Sequence, residues 1–301
     1  MRTCRENRRY FQIAGITVCV ESDLADNELN FREGFEPFAV EGPGEDTVIL
    51  RHRFEWPDLK SMDLGKEVYR KAPWSISRKG DRWFYLGINS EENNDDLNLV
   101  GIFTADHRQG TIYHPRIDEE GSRTLSRGWH SLSLFSTDQV WLAPLLADRN
   151  AVLLHSAGVI LNGRGLLFVG HADAGKSTTV NMLRGRAEIL CDDRNVARRW
   201  DSGWRIHGTW SHGDVADVSA ASAPLRAILF LDQSRRNAIV PLTDRKDIWR
   251  RLLATLIKAA VTAEWWHKEM DVLERLVGEV PCFTMHFDKT GKIVPELEKL
   301  R

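Results

Sequence analysis

The chain has 301 residues, 42% of them apolar and 28% charged, with a formal net charge of −2. This balance excludes a fibrous or disordered chain and leaves room for two domains of ordinary size. It also lacks the basic footprint of a nucleic-acid binder, because Arg198-Arg199 and Arg250-Arg251 are interspersed with acids and read as solvated faces.

Cys4, Cys19, Cys191 and Cys282 are too scattered for a disulfide framework and form no C-x-x-C pair, so a reducing cytoplasm is the expected compartment. Arg2, Arg5, Arg8 and Arg9 open the chain, but the residues after them alternate instead of running apolar as a signal peptide does. No stretch reaches the ~18 to 20 apolar residues of a bilayer span. A soluble, unprocessed protein is expected, with no membrane and no nucleic acid among its partners.

In chain order, YFQIAGITVCV at 10 to 20 alternates like one half-buried strand, and VILRHRFEW at 48 to 56 and DRWFYLGI at 81 to 88 read the same way. Turn-forming EGPGED at 41 to 46 and NSEENNDDLN at 89 to 98 separate such runs. Residues 1–138 are therefore read as a strand-rich α+β domain with few helices. QVWLAPLLADRN from Gln139 has helical spacing and is taken as the bridge to a second domain, 139–301.

The second domain alternates strand and helix, the mark of an α/β layer architecture. AVLLHSAGVIL is one or two strands, GLLFVG a strand, KSTTVNMLRG a helix closing at Gly185, and AEILC and LRAILFLD further strands. One long helix is predicted from Thr243 to about Glu264. It places Ile248, Leu252, Leu256 and Ala260 on a stripe, with Thr243 or Asp244 as N-cap. Of the 11 tryptophans, Trp74 and Trp83 are assigned to core, and the pair Trp265-Trp266 is the least core-like.

Gly170-His171-Ala172-Asp173-Ala174-Gly175-Lys176-Ser177 matches the phosphate-loop pattern G-x-x-x-x-G-K-[ST]. A random match in a chain this long has roughly one chance in a hundred from residue frequencies. The segment also follows an apolar strand and opens a helix, the context the pattern requires. Glycines let successive N–H groups converge on phosphate oxygens at a helix N-terminus. Lys176 is assigned to the β- and γ-phosphates and the Ser177 hydroxyl to Mg²⁺, and Thr178 is included in the binding segment. Two sources of a carboxylate are open: Asp192-Asp193 after AEILC, and Asp232 at the end of AILFLD, which looks like a Walker B strand.

LLHSAGVIL, LLFVGHADAGKSTTVNML and EILCDD together resemble, in order and spacing, the catalytic domain of the HPr kinase/phosphorylase family, whose nucleotide-binding core is shared with ATP-dependent phosphoenolpyruvate carboxykinases. The similarity spans about residues 150 to 240. It implies a P-loop fold of the HPr kinase/carboxykinase type, with ATP and Mg²⁺ as cofactors. Carried over by position, Asp193 is the carboxylate that takes the proton from the acceptor hydroxyl. His155 is a histidine near the phosphates, and Asp192 is a companion acid counted with Ser177 toward the metal. The resemblance also implies a possible homo-oligomer.

The chain departs from the family at Trp204-Arg205-Ile206-His207-Gly208, where Arg205 stands in place of a further acid, and in TWSHGDVAD, which lacks the substrate-docking glycine signature. HPr is therefore not the expected acceptor, and the chain is closer to HPr-kinase-related proteins of peptide or polysaccharide gene clusters. His207 and His212 with Asp214 and Asp217 lack zinc-type spacing and are read as a loop near the nucleotide. Arg226, Arg235 and Arg236 flank the AILFLD strand and could neutralise phosphoryl charge. The expected function is an ATP-dependent kinase that moves the γ-phosphoryl group to a hydroxyl of a peptide, protein or small-molecule acceptor. Its alternatives are a nucleotide-binding regulatory module without turnover and a conventional NTPase using Asp232.

Overall fold

Period-two alternation in the first third of the chain produces strands with one buried side, and the clearest case is Thr47–Arg53, where every second residue is buried. The computed structural model describes residues 7–24, 29–89, 97–115, 128–135, 137–258 and 262–300. It is a mixed α/β chain with two large sheets. Its contacts divide it into two compact units, Met1–Leu145 with Ala259–Thr262 and Leu146–Lys258 with Ala263–Arg301.

The first unit carries β1 (Asn7–Ile13), β2 (Ile16–Ser22), β3 (Ala39–Val40), β4 (Thr47–Arg53), β5 (Lys66–Lys71), β6 (Trp74–Lys79), β7 (Arg82–Ile88), β8 (Leu97–Thr104) and β9 (Gln109–Tyr113). They form one sheet in the order β3-β1-β2-β4-β9-β8-β7-β6-β5. The single strand expected over 10 to 20 is a hairpin instead. Ala14 and Gly15 both take positive φ (49° and 77°), the geometry of a two-residue turn matched to strand twist. Trp74 and Trp83 are buried as expected. His52 occupies an inward position of β4: its Nε2 faces the Leu132 carbonyl at 2.9 Å, and its Nδ1 lies 2.9 Å from Nε2 of His114.

Helix α1 (Gln139–Ala147) follows, and the division between the units falls inside it, after Leu145. The second unit contains β10 (Ala151–Leu161), β11 (Arg164–Val169), α2 (Lys176–Leu183), β12 (Glu188–Cys191), β13 (Arg194–Trp200), β14 (Gly203–His207), β15 (Ser222–Gln233) and β16 (Ala238–Pro241). It continues with α3 (Arg245–Thr255), α4 (Ala263–Glu279), β17 (Cys282–Phe287) and α5 (Val294–Lys299). The sheet runs β11-β10-β13-β14-β15-β17-β16, with β12 on β10 and β15 pairing back onto β11 in parallel. Val180 and Leu183 fix α2 to this sheet in a core with Phe168, Leu229, Met285 and Phe287. Each such side chain contributes about 1.5–3 kcal/mol by burial.

The long helix expected from Thr243 to about Glu264 ends at Thr255, and a separate helix, α4, begins only at Ala263. Asp244 does cap α3, accepting from the backbone N–H groups of Lys246 and Asp247. The helix stops at Thr255 because Leu256 turns extended (φ −61°, ψ 130°) and bridges to Leu154, while Ile257 N donates to Leu153 O at 3.0 Å. Backbone pairing with β10 thus replaces another helical turn, and Ala260 lies outside the described residues. Trp265, expected to be least core-like, is only 2% exposed, and it packs edge-on against Trp266 within α4. No helix among the described residues is long and apolar enough to cross a membrane.

Candidate active site

The Gly170–Ser177 segment leaves the end of β11 and enters α2, as its local pattern requires. Two close approaches explain its glycines: a Cβ on Gly170 would sit 2.5 Å from Ala174 Cβ, and one on Gly175 would sit 2.8 Å from Phe287 Cζ. Gly175 also takes φ 99°, the left-handed region that glycine enters without penalty, and Asp173 takes φ 64°. His171 and Ala172 are exposed at the loop tip, and the ring of His171 contacts the Ala172 carbonyl. Ala174 is buried, and Thr178 lies half-buried in the first turn of α2.

Lys176 is 7% exposed and folds back over its own loop, donating to Gly170 O at 3.0 Å and His171 O at 3.1 Å. Burial pulls its ammonium below the usual lysine range, while Asp193, Asp192 and Asp173 act in the other direction. Ser177 Oγ donates to Asp192 Oδ2 at 2.8 Å. Asp192 is itself buried and fully held, since Oδ1 accepts from Gly213 N at 2.6 Å and Oδ2 from Val215 N at 3.0 Å.

Asp193 faces a different set of groups. Its Oδ1 lies 3.5 Å from His155 Nε2, and its Oδ2 accepts from Ser211 Oγ at 3.2 Å and lies 3.4 Å from Arg194 Nη1. Pairing of His155 with Arg194 across β10 and β13 sets His155 next to the aspartates, and Ser156 N donates to Asp193 O at 2.9 Å. Buried Asn195 locks the same corner, donating to Ser156 O at 2.8 Å, and it fits only because Gly158 has no Cβ. Burial lowers the His155 imidazole from its ordinary range, Lys176 and Arg194 lower it further, and Asp193 opposes them. A neutral imidazole beside a carboxylate and an ammonium results.

The structure therefore brings Lys176, Ser177, Asp192, Asp193 and His155 together. It leaves the other carboxylate candidate elsewhere: Asp232 is 53% exposed and paired with His286 Nδ1 at 2.8 Å, one strand further out on β17. His207 is buried beside Trp200, and burial pushes its imidazole down to about 3. His212 is exposed, and Asp217 pairs with Arg184, so these residues do not converge on a metal. Among the described residues no group of three or more His, Cys, Asp or Glu could hold a metal ion by itself. Arg205 bonds the hydroxyl and carbonyl of Ser222, stitching β14 to β15. Of the three flanking arginines, Arg235 lines a cavity beside Gly175 and Thr178. Reading the sequence missed the Gly213 and Val215 amides, Ser211, Arg194 and Asn195. The glycine in SHGD was the sole signal for the first of these, since a Cβ at Gly213 would sit 3.2 Å from Asp192 Oδ2.

No curated protein matches the chain in sequence. Among solved structures, it is similar to the Hpr(Ser) kinase/phosphatase from Coxiella burnetii, at 10% identity and a TM-score of 0.30 over 49% of this chain and 87% of that one. The family model described as SynChlorMet cassette protein ScmC matches residues 137–301, more than half of the sequence and all of the residues gathered at this site, and the chain belongs to that family.

Proposed function

We propose that the second unit binds ATP through the Gly170–Ser177 loop and transfers its γ-phosphoryl group to a hydroxyl of a peptide, protein or small-molecule acceptor, in the manner of the HPr kinases that the sequence resembles. The observation that carries this reading is the 2.8 Å bond from Ser177 to Asp192, which ties the loop motif to the paired aspartates and leaves Asp193 beside it. Lys176 needs only to release two carbonyls to reach the β- and γ-phosphates. The acceptor oxygen bonds to the γ-phosphorus, the bond from that phosphorus to the bridging oxygen breaks, and the hydroxyl proton passes to an Asp193 oxygen.

The donor set fits Mg²⁺: a hydroxyl and a carboxylate are hard oxygen ligands, and this ion is ordinarily held by one or two carboxylates with phosphates and waters completing the shell. Ser177 and Asp192 would hold it, and its chemistry there is to neutralise charge on the phosphates. A cytoplasmic setting with no nucleic-acid partner accompanies this reading.

A second reading, a nucleotide-binding module without turnover, is favoured by Arg205, which is committed to Ser222 and supplies no carboxylate. Incubation with γ-labelled ATP, Mg²⁺ and the products of neighbouring genes separates the two. The kinase reading expects label on a hydroxyl of one acceptor, dependent on Asp193. Nucleotide binding with neither transfer nor hydrolysis would select the module.

A further inference from the structure

Beside the loop lies a cavity of about 220 Å³ that the transfer chemistry leaves unused, lined by Gly175, Thr178, Arg235, Phe287, Asp288 and Lys289. We propose that this cavity is the nucleoside subsite of the site described above, receiving the base and ribose of a nucleoside triphosphate. The proposal rests on the phosphate-loop reading and adds the direction in which the donor lies.

Sheet order supplies that direction. β11, which launches the loop, has β10 on one side and β15 on the other. His155 belongs to β10, and Asp192 and Asp193 follow β12, which also pairs with β10. The cavity belongs to the opposite side, where β15 and β17 end at Gln233 and Phe287, outside the carboxyl ends of parallel strands. Phosphoryl transfer keeps the attacking and leaving oxygens roughly in line. With the acceptor activated on the β10 side, the leaving diphosphate and its nucleoside point toward β15 and β17.

The size and chemistry of the cavity agree. A whole small-molecule site occupies ~300–1,000 Å³, so this smaller volume suits part of a ligand whose remainder lies on the loop. The cavity wall is coupled to the loop, because Gln233 Nε2 donates to Asp173 O at 2.6 Å and the Phe287 ring lies directly under Gly175. A guanidinium such as that of Arg235 can stack on a base. Lys289 is exposed beside it, and Asp288 presents a carboxylate able to accept from ribose hydroxyls while already accepting from Thr290 N at 2.9 Å. A peptide acceptor would have no reason to meet a cavity on this side of the loop.

Calorimetric titration of the full chain with Mg-ATP and with magnesium tripolyphosphate, which has the phosphates but no nucleoside, tests the proposal. The parent should prefer ATP. The variant carrying Arg235→Gln and Lys289→Gln should lose about tenfold or more of that preference, since charged hydrogen-bonding groups are removed. Lost positive charge weakens both polyanions, so the ratio of the two affinities is the readout. Asp288→Asn sharpens it: charge alone would strengthen both ligands, whereas a lost ribose contact weakens ATP relative to tripolyphosphate. A ratio unchanged in both variants overturns the subsite while leaving the loop intact. If the parent binds neither ligand, or Lys176→Ala binds both as the parent does, the phosphate-loop reading fails and the subsite with it.

Discussion

Ser177 and Asp192, 15 positions apart in the chain, share a 2.8 Å hydrogen bond between hydroxyl and carboxylate. The bond crosses from the first turn of α2 to the end of β12, and the Gly213 and Val215 amides hold its acceptor from the far side. A carboxylate fixed at three points would meet the proposed cation with little reorganisation.

Ser177→Ala should therefore abolish the Mg²⁺ dependence of ATP affinity, whereas Ser177→Thr, which keeps the hydroxyl, should retain it. Its stability cost should stay near the ~1 kcal/mol typical of one hydrogen bond, because Asp192 keeps both amide partners. Titration with ATP in the presence and absence of Mg²⁺ reads the first effect. Equal Mg²⁺ dependence in the alanine variant would remove Ser177 from the metal's shell.

Lys176→Ala tests the loop itself. The ammonium bonds two carbonyls of its own loop, so the variant should unfold within about 1–2 kcal/mol of the parent. Stabilisation by Mg-ATP in a thermal-shift titration should disappear. An undiminished shift would mean that Gly170–Ser177 does not hold phosphate.

The strand, loop and helix around Gly170–Ser177 were legible in the sequence because they are local. Gly170–Ser177 needs only a strand before it and a helix after it, and both stand within a few residues. The assembled site is not local: His155 reaches Asp193 through pairing of β10 with β13, and Asp192 reaches Gly213 across 21 positions. Periodicity carries no record of such pairings, so the pattern offered Asp192-Asp193 and Asp232 equally, and resemblance to a family had to point at the histidine and favour the paired aspartates. The same limit explains the divided helix. The stripe through Leu256 is helical in spacing, but a backbone bond from Ile257 to Leu153 depends on a strand a hundred residues earlier in the chain. His52 falls at a regular inward position of the β4 alternation, and only Leu132 and His114 show how a polar ring is accommodated there.

That histidine pair makes the stability of the first unit depend on pH. Leu132 O can only accept, so His52 carries its proton on Nε2. His52 Nδ1 must then accept from Nε2–H of His114. Both rings are neutral in the fold: burial drives His52 well below its ordinary value and pushes His114 down to about 4. A base depressed in the native state binds more protons when unfolded, so its stabilisation is complete above about pH 6.5 and is lost as pH falls toward 4. For His114, the fall from pH 6.5 to 5 corresponds to about 2 kcal/mol. His114→Gln keeps a donor for His52 Nδ1 without a titrating ring. Between pH 7.5 and 5 the parent should lose about 2 kcal/mol more than this variant in urea denaturation. Parallel losses in the two proteins would show that His114 is not what titrates.

The remaining prediction separates transfer from binding. Asp193 has one oxygen 3.5 Å from a neutral His155 and the other on Ser211 and Arg194, and it makes no bond to the loop that would hold the nucleotide. A base of this kind touches the acceptor hydroxyl in the transition state and adds little to ground-state binding of the donor. Asp193→Asn should accordingly keep nearly all of the Mg-ATP affinity and lose transfer by the roughly 10²- to 10⁴-fold that general-base catalysis contributes. Asp192→Asn should behave differently, lowering Mg²⁺-dependent binding along with transfer, because it removes the carboxylate charge that would hold the metal beside Ser177. Asp232→Asn removes an exposed partner of His286 and should leave both quantities within about twofold of the parent, as surface ion pairs contribute little. Single-turnover transfer and equilibrium binding, measured on all three variants, give the comparison. If Asp232→Asn alone damaged both metal-dependent binding and hydrolysis while Asp193→Asn was silent, the acid of this site would belong to β15, and the chain would be a conventional nucleotide hydrolase.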